Sequence, residues 1–459
     1  MRRRFLPTAG LIQGHPTAAD LDGPWRWGQW GLLLLPLVPS IAALLWFGAM
    51  AVTTRRRWAR MRRDRLVQGF GGLGLWMALT TIWATDRGAA LLGLANFLPY
   101  FWAFGAIAQL ITYPAQLRHL GRLIYWSALP VAILGLGQMG GLWAGPVQVP
   151  GLIDWPLAAG GLPSGRLSAS FGYTNGAACY LAIALCLGLG EGAILARQGQ
   201  GRSWRWRLHW AAAVPVAIAL AWTHSRMGWG VMLGASLIYG LLLGWRSLVA
   251  AILGLVGLVA GAAFGPPAIA QPLRWVVPEI IWGRLNDSLY PDRPLATLRW
   301  FQWDFTSKLI ALKPMTGWGL RSFEGIYQQQ TGLWLGHPHN LLLMVAAETG
   351  LPGAIALAAL VALVLGRTVH WLIHHRPVER NPKGPFPEKS EFGRDRAAAV
   401  PWLSLFSIAV AFGATVAFHS TDVLLFDWRI NLGGWLLLAG LWGNLTNAMA
   451  FTPRSPDRL

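Results

Sequence analysis

Charge is scarce in this 459-residue chain. Asp, Glu, Lys and Arg together make up 12% of it, about half the share usual in a globular protein. A soluble particle could not cover its surface with so few charges, so the two or three soluble domains suggested by length alone are excluded. Acidic residues are the scarcer kind: 19 Asp and Glu stand against 38 Lys and Arg, a net +19. A nucleic-acid binder can be that basic, but not usually with 54% hydrophobic residues. Cysteine is nearly absent. Cys179 and Cys186 lie seven residues apart in an apolar run, roughly 10.5 Å of helical rise, too far for a disulfide. They offer no thiolate metal site and read as small core residues. Pro, Gly and Asp follow the basic Arg2, Arg3 and Arg4 before any long apolar run, so no cleavable signal peptide is expected, and no lipidation motif is present.

Apolar runs are what the chain has in quantity, with 55 Gly and 28 Trp and a mean hydropathy of +0.42. A spanning helix needs about 20 mostly apolar residues. Runs of that kind fall near 31–53, 66–85, 89–112, 120–141, 172–195, 208–224, 227–244, 247–266, 350–372, 399–418 and 430–449. Gly and Pro inside them are tolerable in membrane helices. The expectation is an all-α, polytopic membrane helix bundle of 11–12 spans with one large loop. It divides into N-terminal spans over 1–265, a loop segment over 266–349 and C-terminal spans over 350–459.

The arginines orient the bundle. Arg55, Arg56, Arg57, Arg60, Arg62, Arg63 and Arg65 crowd one short connection, which the positive-inside rule makes cytoplasmic. Counting onward, the stretches with Arg118 and Arg122, Arg197–Arg207, Arg246, Arg376–Arg396 and Arg454–Arg458 also fall inside. The connections at Asp86, 142–171, Ser225–Arg226, 267–349 and 419–429 fall outside. One end does not fit: an odd count of eleven leaves residues 1–30, with Arg2, Arg3 and Arg4, outside. Trp25, Trp27 and Trp30 before the first span and Trp204, Trp206 and Trp210 before the sixth read as indoles at headgroup level rather than as a surface for stacking nucleic-acid bases.

Charges in or beside apolar spans are costly and usually functional. Four polar stretches map to the outer side. Arg166-Leu-Ser-Ala-Ser-Phe-Gly-Tyr-Thr-Asn175 leads into the fifth span; a turn and helix cap is the plain reading. Thr223-His-Ser-Arg226 interrupts a long apolar stretch. A hairpin needs some polar turn, but an always-charged, planar guanidinium there suits phosphate oxygens. The third stretch carries Arg293, Arg299, Lys308 and Arg321 among aromatic residues, with Gly317-Trp-Gly-Leu-Arg-Ser-Phe323 as a sharp turn; it reads as short amphipathic helices with mostly solvated charges. The fourth is Gly336-His-Pro-His-Asn340, followed by Glu348 and Gly350. His337 and His339 are two apart, whereas ligands on one helix face need a spacing of four, and no carboxylate or Cys cluster stands by. No metal is therefore expected. A histidine at a helix start can instead act as a general base.

These motifs together resemble the O-antigen ligase/polymerase superfamily of multi-pass bacterial membrane proteins. His339-Asn340, nine residues, then Gly350 is similar to its signature. Ser170–Asn175, Thr223–Arg226, Arg299 and Pro314–Leu320 support it in order and spacing, with Phe418-His-Ser-Thr-Asp422 as a weaker echo. The resemblance covers about half the chain. It implies a GT-C-like fold, a large periplasmic loop and a metal-independent glycosyltransferase of the bacterial inner membrane that needs no cofactor. The implied donor is an undecaprenyl-diphosphate-linked glycan and the acceptor lipid A–core or another glycan; membrane lipids are expected partners and nucleic acid is not. On that reading Arg226 and Arg299 clamp the diphosphate, His339 orients or deprotonates the acceptor hydroxyl, and Arg166 and Arg321 are secondary phosphate or glycan contacts. Asn340, His337 and Glu348 complete the expected site. The family often has twelve spans, and members assigned to bicarbonate accumulation share much the same motifs. A small-anion transporter or accessory protein is thus the alternative, and a non-enzymatic scaffold of envelope assembly a third; few mid-span charges and no internal repeat favour the first reading over a transporter.

Overall fold

A computed structural model describes residues 11–143, 145–377 and 389–451. Arg2–Arg4, Arg380, Lys383, Arg454 and Arg458, which entered the orientation argument, lie outside them. The described chain is helical nearly throughout: α1 Asp22–Leu34, α2 Pro39–Met61, α3 Arg65–Thr80, α4 Arg87–Gly93, α5 Leu98–Leu110, α6 Pro114–Met139, α7 Thr174–Arg197, α8 Trp204–Trp222, α9 Arg226–Leu243, α10 Arg246–Phe264, α11 Pro267–Arg274, α12 Glu279–Leu285, α13 Arg299–Leu312, α14 Ser322–Thr331, α15 Leu341–His374, α16 Lys389–His419 and α17 Trp428–Phe451. A small hairpin of β1 Val147–Val149 and β2 Ile153–Trp155, in antiparallel register, interrupts them after α6. The chain is an all-α polytopic bundle. Eight described helices are long and apolar enough to cross a membrane. α2, α8 and α17 have the length, at 23, 19 and 24 residues, but are less apolar, because arginines or asparagines occupy part of each. The expected eleven runs therefore reduce to eight by composition.

α7 is the axis of the bundle. It packs against α6, α8, α9 and α16, and both cysteines are buried within it. Its many Gly and Ala residues let these neighbours approach closely, which is how membrane helices gain contact where lipid is as apolar as leucine.

Cross-links sort the helix ends into two levels. Asp20 pairs with Arg57 at 2.7 Å, Asp64 accepts from the Trp442 indole at 2.8 Å, and Asn447 donates to the Thr112 carbonyl at 2.9 Å. All of these lie at the arginine-rich end. At the opposite end Ser170 reaches the Pro36 carbonyl, Trp155 the Leu37 carbonyl, the Thr85 amide the Trp318 carbonyl and Asn431 the Asn96 carbonyl. The expected first span over 31–53 is corrected by this arrangement. That run holds the end of α1, a turn over 35–38 at the second level and most of α2, and the segment before α1 returns to the arginine-rich end beside Arg57. The orientation conflict came from placing one span over a reversal; residues 19–22 lie on the same side as the 54–65 connection. Trp25 is likewise a core residue, 1% exposed, and not part of a belt.

Between α10 and α15 the chain forms four short helices, α11–α14. This segment locks onto the bundle through a break in α15. Gly350 sits at φ 78° and ψ 169°, which only glycine adopts at ease, and a side chain there would collide with the Met315 carbonyl. The carbonyls that the break frees are all taken: Ala347 accepts from the Trp318 amide, Glu348 from the Gly319 amide and Thr349 from the Trp76 indole. The Leu351 amide donates to the Pro314 carbonyl. The turn Pro314–Gly319 thus completes the backbone hydrogen bonding of a broken helix and fixes what precedes α15.

Candidate functional site: an arginine-lined cleft over a buried aspartate

Three polar turns converge at the end opposite the arginine-rich connection. The α8–α9 hairpin turns at His224, which takes a left-handed φ of 50°. Ser225 caps α9 by accepting from the Gly228 amide, which leaves Arg226 at the first helical position. The stretch before α7 is stitched to that hairpin: the Leu167 amide donates to the Trp222 carbonyl, and Arg166 donates to the Thr223 carbonyl at 2.9 Å and to Asn175 at 3.1 Å. The third turn, His337-Pro-His-Asn340, ends where Asn340 caps α15 by accepting from the Leu343 amide and donates to the Ser420 carbonyl.

Asp422, in the α16–α17 turn, joins these pieces. It is 2% exposed and accepts from the Tyr173 hydroxyl at 2.8 Å, the Asn175 amide at 2.6 Å and its neighbouring Val423 amide at 2.8 Å. His337 Nε2 stands 3.5 Å from Oδ1, the oxygen that also accepts from Val423, while Tyr173 and Asn175 share Oδ2. Burial pushes its carboxyl up, but the neighbouring His337 and His339 and the bonds from Tyr173 and Asn175 outweigh this, and the net direction is down. Asp422 is a fixed anion at the floor of the site.

α13 supplies the facing wall. Its first residue is Arg299, and one turn on Gln302 places its amide oxygen Oε1 2.9 Å from His339 Nδ1. Trp303 donates to the Pro338 carbonyl at 3.0 Å, so one helix holds the histidine turn at two points. His339 itself is held at φ 53°. Its ring lies 4.7 Å from that of His337. Burial pushes the His339 imidazole down to about 4, helped by His337 and the nearby Arg299 and Arg293. It is neutral at physiological pH.

The result is an open cleft of about 920 Å³. Its lining includes five arginines, Arg166, Arg226, Arg284, Arg293 and Arg299, against two aspartates, Asp287 and Asp422, with His224, His339, Tyr173, Tyr290 and Asn175 between them. Burial presses the guanidinium of Arg299 below its usual range, and its nearness to Arg226 and Arg293 adds to this. The same holds for Arg166, with Arg284 as the neighbouring cation. Cations held together and partly desolvated favour a bound anion with several oxygens. In the structure one carboxylate takes that role: Asp287, itself at φ 58°, lies 3.1 Å from Arg226 and 3.8 Å from Arg293. Of the five non-glycine residues with positive φ among the described residues, three (His224, Asp287 and His339) line this cleft. Strain of that kind gathers at sites whose geometry is held by surrounding structure.

Of the residues singled out in the sequence, Arg166, Arg226, Arg299 and His339 come together in the cleft. His337 stands behind His339 against Asp422, and Asn340 is a helix cap. Arg321 and Glu348 are not brought to the cleft. Arg321 occupies a left-handed turn position, and the backbone amides of Arg321 and Phe323 hold the buried Glu348 carboxylate beneath the Gly317–Gly319 turn. The structure places them at a turn and its support rather than in the cleft. Sequence reading passed over Asp422 as an echo, left Arg293 among mostly solvated charges, and did not single out Arg284 or Gln302. An acidic residue just past an apolar span was the available signal for Asp422; Gln302 lies in an ordinary amphipathic pattern and gave none.

The argument from helix spacing against a metal does not hold as stated, because His337 and His339 lie in a turn. With Asp422 they bring potential ligand atoms within 4.8 Å of one another. The donor set still fits poorly. His337 Nδ1 accepts from the His339 amide at 3.2 Å, which puts its proton on the Nε2 that faces Asp422, both Asp422 oxygens have donors, and Arg299 and Arg293 lie near His339. That surrounding charge favours an anion.

No curated protein matches the chain. Residues 210–358, from α8 to just past the break in α15, match the family model described as O-Antigen ligase, and this match bears out the resemblance of the chain to the O-antigen ligase superfamily.

Proposed function

We propose that this membrane protein transfers a glycan from a polyprenyl-diphosphate carrier, undecaprenyl diphosphate in the bacterial inner membrane, to an acceptor hydroxyl at the periplasmic face. Glycan transfer in general is supported by the O-antigen ligase match; the donor, acceptor, mechanism and face are our reading. The observation that carries it is the cleft itself, where five arginines gather about the neutral His339. Arg226 and Arg299, with Arg284 and Arg293, hold the diphosphate and stabilise the charge that grows on it as it leaves. Asp287 yields its place at Arg226 to the phosphate oxygens. His339 accepts the proton of the acceptor hydroxyl as that oxygen attacks the anomeric carbon, and displacement inverts the centre. The carrier's tail lies between helices at the cleft mouth. The periplasmic assignment follows from the opposite end: the 54–65 arginines are the cytoplasmic anchors.

The test is a gene deletion with the surface polysaccharide resolved on a gel, complemented by His339→Ala and Arg226→Ala. Both variants, expressed at wild-type level, fail to restore the glycan; restoration by both overturns the proposal. Loss of all glycan-bearing lipid marks a ligase, and retention of a single repeat unit marks a polymerase. A small-anion transporter instead leaves the glycan pattern untouched on deletion.

A further inference from the structure

We infer that Gln302 is a positioning residue for His339: its amide oxygen keeps the ring proton on Nδ1 and leaves the Nε2 lone pair free to take a proton in the cleft. The inference rests on the reading of His339 as the base and adds the residue that makes it one.

The argument is one of donors and acceptors. A glutamine amide has an oxygen that only accepts and a nitrogen that only donates. Gln302 Nε2 lies 3.3 Å from the Ala296 carbonyl oxygen, which can only accept. The nitrogen is therefore engaged there, and Oε1 is the atom 2.9 Å from His339 Nδ1. Two acceptors cannot share a bond without a proton, so Nδ1 carries it, and a neutral imidazole then has its lone pair on Nε2. Gln302 is 0% exposed, so water does not compete for the contact. A free imidazole favours the other tautomer, which would leave Nε2 unable to accept.

His337 takes the opposite form. Its Nδ1 accepts from the His339 backbone amide at 3.2 Å, which puts its proton on Nε2, the atom facing Asp422 at 3.5 Å. His339 lines the cleft and His337 does not. The two rings thus divide the work: one is tied to the buried carboxylate, the other keeps an open nitrogen. The anchoring of the turn is a separate matter, because Trp303 holds it through the Pro338 carbonyl. In the transfer step the acceptor oxygen bonds to the anomeric carbon and its proton moves to His339 Nε2. The carbon–oxygen bond to the diphosphate breaks, and the electron pair leaves with the phosphate. The imidazolium that results still donates from Nδ1 to Gln302, so the contact persists through the step and the proton passes on to solvent.

The charges that face His339 are His337 in its own turn, Arg299 on α13, Arg293 ahead of α13 and Asp422 after α16. A carboxylate in place of Gln302 adds an anion to this set. The test uses the full-length protein in lipid vesicles, labelled with ¹⁵N-histidine, with the His339 signals identified by their loss in His339→Ala. At neutral pH the wild type is expected to give a protonated Nδ1 and a bare Nε2, and Gln302→Leu a mixture or the reverse. A protonated Nε2 in the wild type, or an unchanged signal in Gln302→Leu, overturns the inference. In the complemented deletion strain, Gln302→Leu at normal protein level is expected to lower transfer about tenfold or more. Gln302→Glu retains more activity and moves the acidic limb of its pH profile upward by about one unit, since a carboxylate favours the imidazolium. Wild-type transfer and pH profile in Gln302→Leu also overturn the inference. If that variant fails to accumulate, Gln302→Met and the wild-type signal decide. Full transfer by His339→Ala sinks the base reading alone, because the tautomer is read without any substrate.

Discussion

Seven arginines crowd the 54–65 connection and five line the cleft at the other end of the bundle. The first group is largely exposed, and Arg57 pairs with Asp20. The second is packed among turns, two of its members, Arg166 and Arg299, half-buried and pressed toward their neutral forms by burial and by neighbouring arginines. The residue type is the same and the surroundings are not. In water a guanidinium is screened and contributes to orientation through its charge alone. Beside other cations, in a partly desolvated cleft, it is short of an anion and gains most from a multivalent one.

The two groups should therefore respond differently to mutation. The largest effect is expected from His339→Ala: if the cleft is the reacting centre, glycan transfer in membrane vesicles falls about 10²–10⁴-fold at unchanged protein level, and a loss under tenfold breaks the assignment. Arg226→Ala and Arg299→Ala follow, each lowering the rate about 10²–10³-fold. Lysine at either position restores part of it, because it keeps the charge without the planar fork. The pH profile comes next. His339 must be neutral to accept a proton, and its acid–base midpoint is pushed down to about 4; kcat/KM measured in vesicles should stay level through pH 6.5 and fall only as pH approaches that lower value. An acidic limb at 6.5 or above removes His339 as the titrating group or the burial as its cause. Asp287→Ala frees Arg226 and Arg293 of their internal carboxylate and should lower KM for the lipid-linked donor by a few-fold. At the bottom of the scale, Arg60→Gln and Arg63→Gln should leave the transfer rate unchanged. A large loss there would erase the distinction between the two ends.

Much of the site was legible as local pattern. Arg226 interrupts an apolar run, and His339 precedes one. Both features survive in any conformation that puts those runs in a membrane. Arg321 and Glu348 were read by the same logic, and the structure sets both apart from the cleft, since a charge near a span end can serve a turn as well as a substrate. Glu348 lies nine residues beyond His339, yet the break at Gly350 folds the Gly317–Gly319 turn over it and shuts it away from the cleft. Asp422 showed only as an echo just past an apolar span, and Gln302 not at all. Their significance depends on contacts with Tyr173, Asn175 and His339 that lie 249, 247 and 37 residues away.

Composition and charge placement by themselves determined that this is a helical membrane protein and which of its ends carries the anchoring arginines, because burial of apolar runs and the distribution of basic connections are properties of segments taken one at a time. The motif order pointed to a family. The α1–α2 reversal, the anion at the floor of the cleft, the partner of His339 and the removal of Arg321 and Glu348 from the site were decided only in three dimensions. Each depends on which unsatisfied donor or acceptor of one segment meets that of another.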